Sequence, residues 1–316
     1  MDLDIYRAML PVSFPVLMTL VYMSLFLIHP FLVPVILLLV WLEVITVAPL
    51  IFLINTVVPK LFPNECSAIM KNLRESFPVV PSGSAKKPVQ SIYMFHPHGY
   101  MAASIVLHTA TNFTDWPIHP IKCAVIRGMT HYFGMKEVLE DRFVDSNYAD
   151  MKKVLTMTHS SLAVSPGGLD EMVQIRKKEI RVKLLSRKGI FRLAIETGKP
   201  LVPVITYGET ELCNPLEGSY LEGLHNFLRK YRIPLIVPSY EMCTKWLLLR
   251  KKPLDTKCVS VVGLAVMPVL SGIPLLASDV PSEEAIYELR ARYIEALKKL
   301  YKETKPAEYA EDLIIE

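Results

Sequence analysis

Apolar and polar positions divide this chain into two unlike stretches. From Ala8 to Pro59 the only charged side chain is Glu43. A helix that crosses a bilayer needs about 20 apolar residues, and this stretch is more than twice as long. His29-Pro30 breaks it near the middle. The pattern predicts a membrane-embedded helical hairpin as a first domain, residues 1–59, with arms at Ala8–Ile28 and from Phe31 to about Val58. Both ends of a hairpin return to one side. Arg7 precedes it and Lys60, Lys71 and Arg74 follow it, which puts both flanks in the cytosol. A re-entrant wedge is the alternative, because Pro15, Pro30, Pro34 and Pro49 interrupt straight helices and Glu43 is costly at mid-membrane.

Beyond Pro59 the pattern changes. Residues 60–90 read as a connector, with Pro63, Pro78, Pro81 and the polar patch Ser82-Gly83-Ser84-Ala85-Lys86-Lys87. Short runs that are mostly apolar on both faces then alternate with helical periodicity. Strands are predicted at Val89–Phe95, Ile121–Ile126, Ser161–Ser165, Leu201–Thr206 and Cys258–Gly263. Helices are predicted at Met129–Leu139, Tyr148–His159, Lys188–Thr197 and Ser282–Thr304. In the last, Pro281-Ser282 followed by Glu283 and Glu284 marks the start. Ile286, Leu289, Tyr293, Leu297 and Leu300 recur at three- and four-residue steps. Gly198 with Pro200 just beyond ends the third helix. Alternating strands and helices predict a second domain, residues 60–316, of the α/β class with a mostly parallel twisted sheet. One stretch does not fit that order. Leu221, Leu224, Leu228 and Tyr231 form an apolar stripe, and Trp246-Leu247-Leu248-Leu249 runs into Arg250-Lys251-Lys252. It reads equally as a headgroup-layer segment or as a helix packed on the domain.

Composition narrows the function classes. The mean hydropathy of +0.31 is high, and the excess is local to the first stretch. Net charge is only +4 over 316 residues and the basic residues are spread out, so a nucleic-acid partner is not indicated. Five cysteines with no Cys-x-x-Cys pair argue against a disulfide framework or structural zinc and for a reducing compartment. Cys123 and Cys258 sit in apolar runs and read as inert core thiols.

The candidate chemistry concentrates at Phe95-His96-Pro97-His98-Gly99, at the end of the first predicted strand. His96 and His98 alternate, so an extended chain would point both the same way. Pro97 stiffens the link, and Gly99 lets the backbone turn and approach a ligand closely. A neutral imidazole takes a hydroxyl proton near neutral pH. The same His-x-His is a pair of metal ligands, but no third ligand stands at a supporting spacing, and no resident metal is expected. A second motif, Ser165-Pro166-Gly167-Gly168-Leu169-Asp170-Glu171, follows another predicted strand. Its paired glycines free backbone N–H groups for an anion or oxyanion, and Glu171 or Asp170 is placed to orient an imidazole. A plain strand-to-helix turn is the ordinary alternative. The run Arg176, Lys177, Lys178, Arg181, Lys183, Arg187 and Lys188 is either a solvated face or a phosphate-binding cluster. There is no Gly-x-Ser-x-Gly elbow, no Walker loop and no dinucleotide fingerprint.

Taken together, the hydrophobic N-terminus, His96-Pro97-His98-Gly99 and Pro166-Gly167-Gly168-x-x-Glu171 resemble the type 2 diacylglycerol acyltransferase family. So do Arg187-Lys188-Gly189-Ile190-Phe191-Arg192-Leu193-Ala194, Gly198, Pro200-Leu201-Val202-Pro203-Val204 and Tyr207-Gly208-Glu209. Val261-Val262-Gly263 and the final helix match in pattern.

The resemblance implies a glycerolipid-acyltransferase-like α/β domain behind a transmembrane hairpin. It implies an endoplasmic reticulum membrane protein, also found at lipid droplets, whose active site faces the cytosol. It implies acyl transfer from acyl-CoA, as co-substrate and with no resident cofactor, to a glycerolipid hydroxyl. Diacylglycerol is the leading acceptor, with monoacylglycerol and wax alcohol as alternatives. The resemblance puts the active-site tetrad on His96, Pro97, His98 and Gly99, with Glu171 as acidic partner. In the mechanism expected, His98 is the base, with His96 as runner-up. N–H groups near Gly99 or at Gly167 and Gly168 hold the oxyanion. Arg176, Lys177, Lys178, Arg187 and Lys188 are candidates for the acyl-CoA phosphates.

Three features depart from relatives. The His-x4-Asp of other glycerolipid acyltransferases is absent, with Met101 and Ala103 in its place, so the carboxylate must come from elsewhere. Ala265 and Arg290 replace a Pro and a His common in the family. Self-association is left open. The rival classes are a non-enzymatic membrane scaffold and a metal-dependent lipid hydrolase.

Overall fold

A computed structural model describes residues 71–72, 75–81, 90–99, 102–110, 120–125, 142–172, 175–212, 223, 252–255, 257–275 and 281–316. The hairpin expected in residues 1–59 and the helix expected at Met129–Leu139 lie outside the described residues. So does the stripe Leu221, Leu224, Leu228, Tyr231 with Trp246–Leu249. Among the described residues, no helix is long and apolar enough to cross a membrane.

The fold is α/β, as the alternation predicts. Seven strands form one sheet: β1 (Val79–Pro81), β2 (Ile92–His96), β3 (Ile121–Val125), β4 (Phe143–Asp145), β5 (Ser161–Val164), β7 (Leu201–Tyr207) and β8 (Val259–Val262). Their spatial order is β1-β8-β7-β2-β5-β3-β4. Every neighbouring pair is parallel except β7 with β8. Strand β6 (Arg181–Val182) pairs with β11 (Ile314–Ile315) at the chain's end, and β9 (Val269–Leu270) with β10 (Ile273–Pro274). The helices are α1 (Ala103–Ala110), α2 (Tyr148–Met157), α3 (Leu169–Met172), α4 (Gly189–Thr197) and α5 (Glu283–Thr304).

Strand β2 lies at the middle of the sheet and is buried along its whole length. Its side chains alternate between two apolar layers, as the pleat requires. Ile92 and Met94 join a core with Phe191 and Leu193 of α4 and Leu289 and Tyr293 of α5. Tyr93 and Phe95 face the opposite layer, with Ile105 of α1, Val202 and Val204. His96 falls on the first of these faces. It therefore points toward α5.

Helix α5 is held by that face rather than by its charges. Leu289, Tyr293, Leu297 and Leu300 are buried, and each such side chain is worth about 1.5–3 kcal/mol. Surface pairs such as Lys298–Glu295 contribute about 1 kcal/mol at most. Packing thus fixes where Tyr293 sits. The start and stop signals of the sequence are the ones used: the Ser282 side chain accepts from the Ala285 amide, and Gly198 closes α4 at φ 63°.

Candidate active site

Strands β2, β5 and β7 are adjacent and parallel, so their carboxyl ends share one edge of the sheet. In open α/β sheets that edge is where ligands bind. Three titratable side chains follow those three ends: His98 after β2, Glu171 on α3 after β5, and Glu209 just after β7.

The two histidines part company. His96, the last residue of β2, is fully buried, and its Nε2 lies 2.9 Å from the Tyr293 hydroxyl. Its Nδ1 is buried without a hydrogen-bond partner. Burial pushes the imidazole down to about 3, so it stays neutral. The His96–Pro97 peptide is cis. His98 lies beyond the strand and is half-buried. The expectation that both rings point the same way therefore fails, because the extended conformation stops at His96.

The His98 ring has a defined tautomer. Its Nδ1 lies 2.8 Å from the Gly99 carbonyl, which only accepts, so Nδ1 carries the proton. The lone pair is on Nε2. Burial lowers the ring's basicity below the ordinary 6.5, and the Gly99 hydrogen bond opposes that only in part. The free base is the form present near neutral pH.

Glu171 holds this loop, but by its backbone. One carboxylate oxygen accepts from the His98 amide at 2.8 Å and the other from the Lys183 amide at 2.8 Å. Orientation of the imidazole by Glu171 is thus corrected: the Gly99 carbonyl does that, and Glu171 anchors the His98 main chain. Only 3 % of Glu171 is exposed, and burial pushes its carboxyl up to about 7 despite the two amides and Arg187. Gly167 makes the carboxyl's place. A Cβ there would lie 1.8 Å from Glu171 Cδ. Gly168 turns the chain at φ 57°. Arg187 donates to the Gly167 carbonyl at 3.0 Å and to Asp170 at 2.9 Å. Asp170 therefore pairs with Arg187 rather than with an imidazole. Lys188 pairs with Glu283 at 2.6 Å. Arg176, Lys177 and Lys178 are exposed on a turn closed by Arg176 and Glu179.

Glu209 was legible only as part of the matching Tyr207-Gly208-Glu209 run. Its carboxylate accepts from the Ala103 amide at 2.8 Å, the Ser104 amide at 3.1 Å and the Ser104 hydroxyl. Glu209 thus caps α1 from another strand's end. Among the described residues no group of three or more His, Cys, Asp or Glu side chains is placed to hold a metal ion.

Tyr293→Phe is expected to keep the edge-on packing against Phe191 (ring centroids 5.9 Å apart) and to leave His96 without a hydroxyl partner. A buried polar group left unpaired costs about 1–3 kcal/mol. Thermal unfolding of the purified variant should show a melting temperature lower by several degrees.

A family model described as "Diacylglycerol acyltransferase" matches residues 58–315, and the chain belongs to that family. The chain is similar to 2-acylglycerol O-acyltransferase 1 of Homo sapiens, 26% identical over 263 residues, covering 75% of this chain and 72% of the relative. It is similar to diacylglycerol O-acyltransferase 2A of Umbelopsis ramanniana, 26% identical over 243 residues, covering 71% and 64%. It is also similar to acyl-CoA wax alcohol acyltransferase 2 of Mus musculus, 27% identical over 233 residues, covering 68% and 65%. No solved structure matches it. The protein is accordingly an acyltransferase.

Proposed function

We propose that this protein transfers a fatty acyl group from acyl-CoA to the hydroxyl of a membrane glycerolipid, with diacylglycerol the leading acceptor and His98 the general base. The observation that carries this reading is the tautomer of His98. With Nδ1–H donated to the Gly99 carbonyl, Nε2 has a lone pair on a partly buried ring just past the carboxyl end of β2. Nε2 takes the acceptor's hydroxyl proton as its oxygen attacks the thioester carbonyl. The carbonyl oxygen becomes an oxyanion, which then collapses and expels CoA thiolate. An unperturbed thiol has a pKa of about 8.5, so this leaving group needs little acid help and no acyl-enzyme is required. Backbone N–H groups near Gly99 and Gly168 are the donors proposed for the oxyanion. The His98 amide is not among them, since Glu171 holds it.

Arg176, Lys177 and Lys178, exposed and basic, are proposed to hold the acyl-CoA phosphates, whereas Arg187 and Lys188 are engaged by Asp170 and Glu283. The apolar run Ala8–Pro59 supports a hairpin anchor in the endoplasmic reticulum membrane, with the site on the cytosolic side. There it meets an acceptor dissolved in lipid and an acyl-CoA whose head stays in water. The relatives' names cover 2-acylglycerol, diacylglycerol and wax alcohol acceptors at nearly equal identity, so likeness alone selects none.

An acceptor panel with purified protein and labelled oleoyl-CoA tests the reading. Release of CoA is expected with diolein above monoolein and hexadecanol. Release with none of the three would overturn the reading, and release only with hexadecanol would replace its acceptor.

A further inference from the structure

We propose that Glu209 is a positioning residue for acyl transfer, seating the Gly99 turn whose carbonyl holds His98. The inference rests on His98 acting as the base. Three observations bring Glu209 to that turn. Its side chain is 3 % exposed, at the carboxyl end of the strand next to β2. Its carboxylate takes three donors from the start of α1, the Ala103 and Ser104 amides and the Ser104 hydroxyl. Its methylene lies against Gly99, where an added Cβ would come within 2.6 Å of Glu209 Cγ and 2.7 Å of Oε1.

Gly99 also has φ 64°, a conformation that side chains disfavour. The turn is therefore fixed from two directions: its backbone demands glycine, and Glu209 fills the space where any other residue would put its side chain. One carboxylate thus ties the start of α1 and the floor of the turn to the same strand end. The Gly99 carbonyl is the partner that gives His98 its tautomer. If the turn moves, Nδ1 loses its acceptor and Nε2 is no longer aimed. A buried carboxyl accepting three hydrogen bonds is costly to disturb, which makes the arrangement stiff. Its carboxyl hydrogen-bonds to α1 and its Cγ packs on Gly99, so its effect on His98 runs through the turn.

The test uses full-length protein in detergent, labelled oleoyl-CoA and the preferred acceptor, with kcat, KM and thermal unfolding measured together. Glu209→Gln puts an amide donor against a backbone donor and loosens the floor of the turn. It is expected to lower kcat about tenfold, with KM for acyl-CoA within about twofold of wild type. Ser104→Ala removes one donor to Glu209 and leaves its contact with Gly99. It is expected to lower the melting temperature but to change kcat by less than about twofold. Glu209→Asp keeps the carboxyl and withdraws it from Gly99, and it too should lower kcat, which keeps the test decisive if the Gln variant does not fold.

Wild-type kcat in a folded Gln or Asp variant would overturn the proposal. So would a kcat loss that tracks the fall in melting temperature equally in the Gln and Ser104→Ala variants. His98→Ala separates the two claims. An inactive His98→Ala beside a fully active Glu209→Gln sinks only the positioning role, whereas an active His98→Ala sinks both.

Discussion

Gly167→Ala is expected to lower kcat about a hundredfold while the domain still folds. The methyl group would sit 1.8 Å from Glu171 Cδ and 1.9 Å from its Oε1, so the carboxyl must leave. Two backbone amides then lose their acceptor, those of His98 and Lys183. The first carries the base, and a displacement of about 1 Å at a reacting group can cost a hundredfold. Overpacking of this kind costs about 1–3 kcal/mol and each unpaired amide about 1–3 kcal/mol more, a loss of several kcal/mol against the roughly 5–15 kcal/mol by which domains are stable. Gly168→Ala is the matched comparison. No atom lies within 4 Å of its added Cβ, but its φ of 57° is unfavourable for alanine. Alanine keeps the backbone N–H proposed for the oxyanion, so that variant should lose about 1 kcal/mol of stability and retain most of its activity. Steady-state kinetics with thermal unfolding of both variants checks the pair.

This pair of glycines shows what the sequence could and could not reveal. A Gly-Gly turn after an apolar strand was readable, as was an acidic residue three or four positions on. That the acid folds back onto Gly167, and that its target is the His98 amide rather than the ring, depends on the parallel pairing of β2 with β5. No local pattern encodes that pairing. The same holds for Glu209, whose task depends on β7 lying beside β2. The individual elements were more legible, because their signals are local. Ile121–Val125, Ser161–Val164 and Leu201–Tyr207 are short apolar runs that became parallel strands, and the Ser282 and Gly198 caps bounded their helices as read. Val79–Pro81 and Phe143–Asp145 were missed. Each is three residues long and is a strand only because a distant one pairs with it. The antiparallel placing of β8 against β7 was likewise invisible, since an apolar run carries no direction.

The largest expected effect belongs to His98. Substitution by alanine removes an imidazole whose Nδ1–H is held by the Gly99 carbonyl, which leaves the Nε2 lone pair free to accept a proton. His96 cannot take over. It is fully buried, its Nε2 is at hydrogen-bond distance from Tyr293, and its basicity is pushed down to about 3. General-base catalysis is worth roughly 10²- to 10⁴-fold, so the loss should be at least about a hundredfold in kcat. Folding should be retained, because the ring's hydrogen bond goes to its neighbour's carbonyl while the amide contact to Glu171 remains available to alanine. The lowered basicity of His98 adds a sign: its free base persists as pH falls to 6.5, so the acid-side decline of the wild-type rate should lie below that value. The decisive measurement is the rate of CoA release from oleoyl-CoA with the preferred acceptor, for wild type and His98→Ala at equal folded concentration. A fall of about a hundredfold or more with KM for acyl-CoA nearly unchanged is the predicted result, and a folded variant turning over near the wild-type rate would contradict it.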